Sequence, residues 1–528
     1  MLAIALVASI LWTWPLVLHL AKGGRSPLDS PFEAWTIDWV QYAIRHPRHL
    51  YDADIFAPTR GTLAFSAPLI GVALPTLPLR WLGMSPMAIY NASQILATSF
   101  SAAGAYLLGR VVLRRRAAAA VVGFAFAFGP VPYAVSLQLQ ATARAGVPLA
   151  AAATWWLADR AESNRSLYPP AIALALVLAW QTSVSLYPAT YAVVAMLVVL
   201  VVRWRVVRRR GVIAAALAGL GAVFVCAIPQ LVFAHAYRDA APKEPGDYGA
   251  SFVQAAPRLW YPKLLDWKGP AVLIVSAGFP GITLLAMAVV GAVLMPRTRV
   301  RTLGLVATAV GAVMALGAAA HGWRRFTPYR LVLLVVPLAG ALREYARAWT
   351  LGLLGLGVLA GGALLRLEQR SKRIASLVAA AVCVCIALEG FAPWTDVTPV
   401  SIHPVDVALS KLPGSGGVLY LPIASTRRAA PDLSFFVQPD IVFRTTAHHR
   451  PTVNGYSAYF PPWSGTAVDL AAKLRCASAR RALYEAGVRF VVSAPYLPIS
   501  AVGLRQLGRY GNEVLYELLA PSRRHASC

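Results

Sequence analysis

Apolar runs of about twenty residues recur along the first three quarters of this chain, and short clusters of arginine separate them. That alternation leaves few folds open. As a helix, a run of that length covers the ~30 Å of a bilayer's hydrocarbon, and lipid offers no hydrogen-bond partner to an unpaired backbone. Helices are therefore the expected spanning unit. The short alternating strands of a membrane barrel are absent. With 58% hydrophobic and 13% charged residues over 528 positions, the chain is too apolar for a string of soluble domains.

Lys and Arg number 49 against 22 Asp and Glu, a formal charge of +27. A nucleic-acid surface would interleave such charge with exposed aromatics on a soluble module. Here the basic residues fall between apolar runs, at 114–116, 203–210, 297–301 and 366–373. That is the positive-inside pattern of cytoplasmic turns, and it argues against a nucleic-acid partner. The first apolar run lacks a basic start and a small-residue cleavage site, so it reads as an uncleaved span. Cys226, Cys383 and Cys385 lie in apolar runs as small core residues. Cys476 and Cys528 are the pair that an oxidising compartment would allow.

The expected architecture is an all-α polytopic membrane domain of about 11 to 13 helices over residues 1–392, followed by a small soluble α/β domain over 393–528. Two polar loops, 21–62 and 234–270, interrupt the apolar part on the outer side. Residues 63–82 carry Pro68, Pro75 and Pro78, which makes them a poor straight helix and the segment expected not to cross. The count is then about eleven true crossings, with the N-terminus inside and the C-terminus outside. In the tail, GVLYLPI (417–423) and VRFVVS (488–493) read as strands, 477–486 as a short helix, and 510–518 as a turn and edge strand.

Up to residue 158, every acidic side chain falls in the first polar loop: Asp29, Glu33, Asp38, Asp52 and Asp54. Asp29 and Glu33, four apart, share one helical face, with Trp35 and Trp39 as interfacial anchors beside them. A carboxylate partly desolvated at the lipid boundary suits a general base; a plainly hydrated acidic loop is the alternative. Arg330, Arg343 and Arg347 sit in or near apolar segments, where a cation seeks a protein cavity and an anion such as phosphate. A pairing with Glu344, or snorkelling, would also account for them. Gln138, Gln140 and Arg144 lie past an apolar segment ending in Gly129-Pro130, as sugar contacts or as boundary polar groups. His448, His449 and Asn454 lack a third ligand at a metal spacing, and no phosphate loop, dinucleotide fingerprint or nucleophile elbow occurs.

YDADIFAPTRGTLAF (51–65), PLIG (68–71), Tyr90-Asn91, GFAFAFGP (123–130), FPG (279–281), LREYAR (342–347) and HRPTVNGY (449–456) together resemble a bacterial group of large membrane proteins related to the GT-C glycosyltransferases. The resemblance covers nearly the whole chain. It implies an inverting enzyme of the bacterial cytoplasmic membrane, its C-terminal domain extracytoplasmic. Such an enzyme moves a sugar from a polyprenyl-phosphate carrier to an extracytoplasmic glycan, lipid or protein. A carboxylate of the first outer loop serves as base there: Asp29, with Asp38 and Glu33 in reserve. The LREYAR match sets Arg343 or Arg347 near the carrier phosphate, and Arg330, Gln138 and Asp52 are the further expected substrate contacts. Ser136-Leu137-Gln138 stands where the resemblance leads one to expect His-Leu-Gln, a departure that bears on a catalytic part for that site. The cofactor stays open, with a divalent cation as the option and no metal ligands assigned. A flippase of lipid-linked glycan and a non-catalytic envelope scaffold are the competing functions.

Overall fold

The computed structural model describes residues 1–45, 50–236, 241–242, 279–317, 345–391, 394, 397–424, 433–494 and 503–520. Arg330, Arg343, Glu344, Cys528 and most of the second polar loop lie outside the described residues. Contacts divide the chain into a helical unit (residues 1–18, 92–227 and 246–395) and a mixed unit (19–91, 228–245 and 396–528). The first polar loop thus belongs with the tail, a grouping that hydropathy does not signal.

Five helices among the described residues are long and apolar enough to cross a membrane: Pro86–Val112, Arg116–Val135, Arg210–Phe233, Tyr345–Arg370 and Lys372–Gly390. Shorter apolar helices include Leu2–Trp12, Tyr168–Val184, Leu186–Val202 and Ile282–Leu294. Within residues 63–82 there is no single spanning helix. A 3-10 turn, Thr62–Phe65, is followed by two short helices, Ile70–Ala73 and Leu77–Trp81, as the prolines require.

At the centre of the helical unit the Trp349–Ala363 helix is buried along nearly its whole length. Glycine lets its neighbours approach backbone to backbone. A Cβ at Gly291 would stand 1.8 Å from the Leu359 carbonyl oxygen, and one at Gly311 would stand 2.2 Å from the Gly352 nitrogen. Close small-residue packing of this kind replaces the hydrophobic drive that lipid cannot supply between helices.

The basic clusters are stitched together by carboxylates. Arg203 donates to Asp159 at 2.9 Å and meets Glu162 at 3.0 Å; Glu162 also holds Arg299 at 2.5 Å, and Asp159 reaches Arg114 at 3.6 Å. Glu368, from the fourth cluster, accepts the Ala118 N–H beside the first. The four clusters read as cytoplasmic turns therefore gather at one end of the unit.

In the mixed unit, Gly417–Leu421 pairs in parallel with Val488–Ser493, which pairs antiparallel with Glu513–Leu518, itself antiparallel to Leu504–Tyr510. A short helix, Ala477–Glu485, precedes the second of these strands. The last two strands make a hairpin where the sequence suggested one edge strand. HRPTVNGY is a strap between this sheet and the first polar stretch. Val418 N–H donates to Pro451 and Val453 N–H to Val418, while Thr452 N–H donates to the Asp54 carbonyl and Phe56 N–H to the Asn454 carbonyl. The Asn454 amide is fully used, accepting from Tyr420 N–H and donating to the Tyr420 carbonyl and Gln438. Cys476 is disulfide-bonded to a partner outside the described residues, and Cys226, Cys383 and Cys385 are free thiols.

Candidate functional site

The acidic loop of the sequence is built around one helix, Asp29–Ala43. Its start is tied by two serines: the Asp29 N–H donates to Ser26 Oγ at 2.9 Å, and the Ser26 N–H donates to Ser30 Oγ at 3.1 Å. Asp29 also stands in the first turn, where a carboxylate complements the helix dipole. It is only partly buried, whereas Glu33 and Asp38 are 4% and 2% exposed. The predicted carboxylates are therefore not brought together. Asp29 and Glu33 share one face, near which Ser30 Oγ meets the Tyr90 hydroxyl at 3.1 Å. Trp35, Asp38, Trp39 and Tyr42 form another face. Asp52 accepts the Gly61 N–H at 2.8 Å, steadying a glycine at φ +70°.

On the second face the structure assembles a cluster that the spacing of residues does not reveal. Asp38 Oδ1 is ion-paired with Arg80, and Asp38 Oδ2 lies 3.5 Å from His449 Nε2. The other ring nitrogen, Nδ1, lies 3.9 Å from Asp54 Oδ2, and Asp54 Oδ1 accepts the Trp35 indole N–H at 2.9 Å. Tyr42 stacks on the imidazole with centroids 3.9 Å apart. His449 holds this place at φ +49°, a left-handed conformation that costs a side-chain-bearing residue energy. Burial pushes the Asp38 carboxyl up to about 6 even against the pull of Arg80, and the Asp54 carboxyl up to about 7. Burial, with Arg80 and His448 beside it, pushes the His449 imidazole down to about 4. Both contacts of the ring are thus made by a neutral histidine.

The visible clue was HRPTVNGY itself. Its His449 looks isolated along the sequence because its partners come from the first polar stretch. Among the described residues no three His, Cys, Asp or Glu side chains are arranged to hold a metal ion. Here each carboxylate faces a different ring nitrogen, and a metal binds only one.

In the helical unit two of the predicted substrate contacts meet: Arg347 donates to Gln138 Oε1, and its guanidinium lies 4.7 Å over the Tyr187 ring. Arg347 itself lies in a 3-10 turn, Tyr345–Ala348. The chain leaves that turn directly into the Trp349–Ala363 helix. Arg144 is also buried. It donates to the Phe126 carbonyl at 2.9 Å and to Thr350 Oγ1 at 3.3 Å, while its Nε–H has no partner among the described residues. It borders a small cavity of about 10 Å³ lined by Trp12, Thr98, Ser101, Ser136 and Thr142, and the Trp12 indole N–H also has no partner among the described residues. Both residues line this cavity and each has a donor to spare, which suits an acceptor atom, and the fixed charge favours an anionic one.

No family model and no curated protein matches the chain. Solved structures do. The arabinofuranosyltransferase AftD from Mycobacteria superposes with a TM-score of 0.51 at 15% identity, over 99% of this chain and 42% of its own, so the chain spans less than half of that protein. ArnT from Cupriavidus metallidurans bound to undecaprenyl phosphate superposes with a TM-score of 0.52 at 12% identity, over 98% of this chain and 97% of its own; its apo form gives 0.51. The chain shares the fold of these solved structures.

Proposed function

We propose that the chain is a membrane glycosyltransferase that takes a sugar from a polyprenyl-phosphate donor and places it, with inversion, on a glycan, lipid or protein outside the cytoplasmic membrane. The observation that carries this reading is Arg144, a buried guanidinium in an apolar unit with a free N–H and no carboxylate among the described residues. Keeping an arginine there is expensive, about 2.5–3.5 kcal/mol at a helix centre, and an anionic ligand would repay it. Departure of a polyprenyl phosphate leaves negative charge on the phosphate, and Arg144 with the Arg347–Gln138 pair would stabilise it. A GT-C fold shared with ArnT, whose structure holds undecaprenyl phosphate, supports the choice of donor.

Asp29 is the base. Of the three carboxylates on its helix it alone keeps substantial exposure, so an acceptor hydroxyl reaches it without opening the unit. An outer location for the mixed unit is supported by the disulfide at Cys476, since such bonds persist in oxidising compartments. It also agrees with the gathered basic turns of the helical unit.

The test is transfer by the purified chain in nanodiscs with a panel of polyprenyl-phosphate sugars. Asp29→Asn should lower transfer by about 10²–10⁴-fold while donor binding persists. A flippase would keep moving lipid-linked glycan with Asn at position 29, and a scaffold would turn over none of the donors.

A further inference from the structure

Three buried polar atoms around the His449 ring, Asp38 Oδ2 on its Nε2 side, Asp54 Oδ2 opposite Nδ1, and Nδ1 itself, have no hydrogen-bond partner among the described residues. Buried groups of this kind are normally satisfied, so each calls for a physical account. A neutral imidazole donates from one nitrogen and accepts at the other. With Asp38 held as a carboxylate by Arg80, Nε2 is the donor and faces Asp38 Oδ2. Nδ1 is then a lone pair, and a carboxylate at Asp54 would repel it; a carboxylic acid there would donate to it. One proton on Asp54 Oδ2 gives all three atoms complementary roles, at separations of 3.5 and 3.9 Å that a small inward shift would close.

We propose that Asp54, His449 and Asp38 are an acid–base relay that binds one exchangeable proton, resting on Asp54 and able to pass through the imidazole toward Asp38. When it moves, the Asp54 O–H breaks as an Nδ1–H forms, and the Nε2–H breaks as an Asp38 O–H forms. The ring returns to neutrality in its other tautomer, and Arg80 is left beside a neutral acid. The left-handed backbone at His449 and the Tyr42 stack fix the ring between the two carboxyls. The groups that bear on it are Asp38, Trp35 and Tyr42 from the long helix, Arg80 from the Leu77–Trp81 helix, and Thr445 and His448 from the segment before the strap. This relay is separate from Asp29, which lies on another face of the same helix.

Asp54 is raised to about 7 from 3.8. Its proton therefore contributes stability that is complete below pH 3.8 and is lost as pH rises through about 7. His449, lowered to about 4 from 6.5, contributes stability that is complete above pH 6.5 and is lost as pH falls through about 4.

The experiment is an infrared pH titration of the full chain in nanodiscs, following the carbonyl stretch of protonated carboxyl groups. The native chain should lose one such band with a midpoint near pH 7, above that of Asp38 near pH 6, and Asp54→Asn should lack the upper one. Asp38→Asn should keep the upper band but lower its midpoint by about one pH unit or more, because Arg80 is then left unopposed. His449→Phe retains the ring stack and should remove the linked change in imidazole bands. Circular dichroism identifies any variant that fails to fold, and each of the three tests the relay separately. An unchanged upper band in Asp54→Asn, or an imidazolium at position 449 in the native chain at pH 6, overturns the proposal. Neither result bears on whether Asp29 serves sugar transfer.

Discussion

Two buried arginines, one in each unit, sit over an aromatic ring at the same distance and are otherwise opposites. Arg444 lies 4.9 Å over Tyr420 and is forked onto two carboxylates: Nε and Nη2 donate to Asp406 at 2.8 and 2.9 Å, and Nη1 and Nη2 donate to Glu513 at 2.8 and 2.9 Å. Arg144 lies 4.9 Å over Phe126 and has a carbonyl and a hydroxyl for company. The first is neutralised by the protein and ties the Gln438–Arg444 helix to the Pro404–Lys411 helix and to the Glu513–Leu518 strand. The second carries into an apolar setting a charge that no described residue cancels. Burial alone does not distinguish a structural arginine from a ligand-binding one; the difference lies in whether the protein supplies the counter-charge.

The contrast breaks most sharply at Arg444. Replacing it with Ala strands Asp406, which is fully buried, and leaves Glu513 without its fork. The expected loss is about 3–5 kcal/mol, read as a lowered unfolding transition of the mixed unit. Transfer should fail in these preparations only as far as the fold does. Arg144→Met should do the reverse. An apolar side chain of similar length relieves an uncompensated charge, so the unfolding temperature should hold or rise. Donor binding should weaken by about 2–5 kcal/mol, at least ~30-fold in Kd, in a titration with a polyprenyl-phosphate sugar. A destabilised Arg144→Met with unchanged donor affinity would place Arg144 in the same class as Arg444.

How far the sequence carried these distinctions depends on the range of the forces involved. Hydropathy marked the spans and positive clusters marked the turns, because lipid acts on each segment separately; the stitching of Arg203, Glu162 and Arg299 is what that pattern predicts. The concentration of acid in the first polar stretch marked the Asp29–Ala43 helix, since charge of one sign in an otherwise apolar chain stands out locally. Its division into two faces is a different matter. Asp38 owes its role to Arg80, to Asp54 and to a histidine brought by a strap far along the chain. His448 and His449, side by side in sequence, take separate duties. His448 Nδ1 accepts the Arg450 N–H while its Nε2 meets the Tyr420 hydroxyl, and His449 turns away through a left-handed backbone toward the carboxyls. Arg144 was visible as a polar residue after an apolar run, but the lack of a counter-ion for it among the described residues is a property of packing, which no local pattern encodes.

The smallest effect separates positioning from charge at Arg144. Thr350 Oγ1 takes one proton of the Nη1 group at 3.3 Å, and Thr350 itself is buried one step inside the central helix. Thr350→Val keeps the shape and the charge beside it but removes the acceptor. A net hydrogen bond of this kind is worth about 0.5–1.5 kcal/mol. If the guanidinium serves an anionic ligand, the freed Nη1 loses its orientation but keeps its attraction, so donor affinity should fall by only about 2- to 10-fold. The salt dependence of binding should stay unchanged, because the charge count is the same. If Arg144 were there only to hold the Phe126 carbonyl, the same substitution would lower the unfolding temperature and leave donor affinity alone. Measuring both quantities on one variant therefore asks whether this arginine is part of the scaffold or part of the site. The answer does not depend on Asp29 or on which sugar the donor carries.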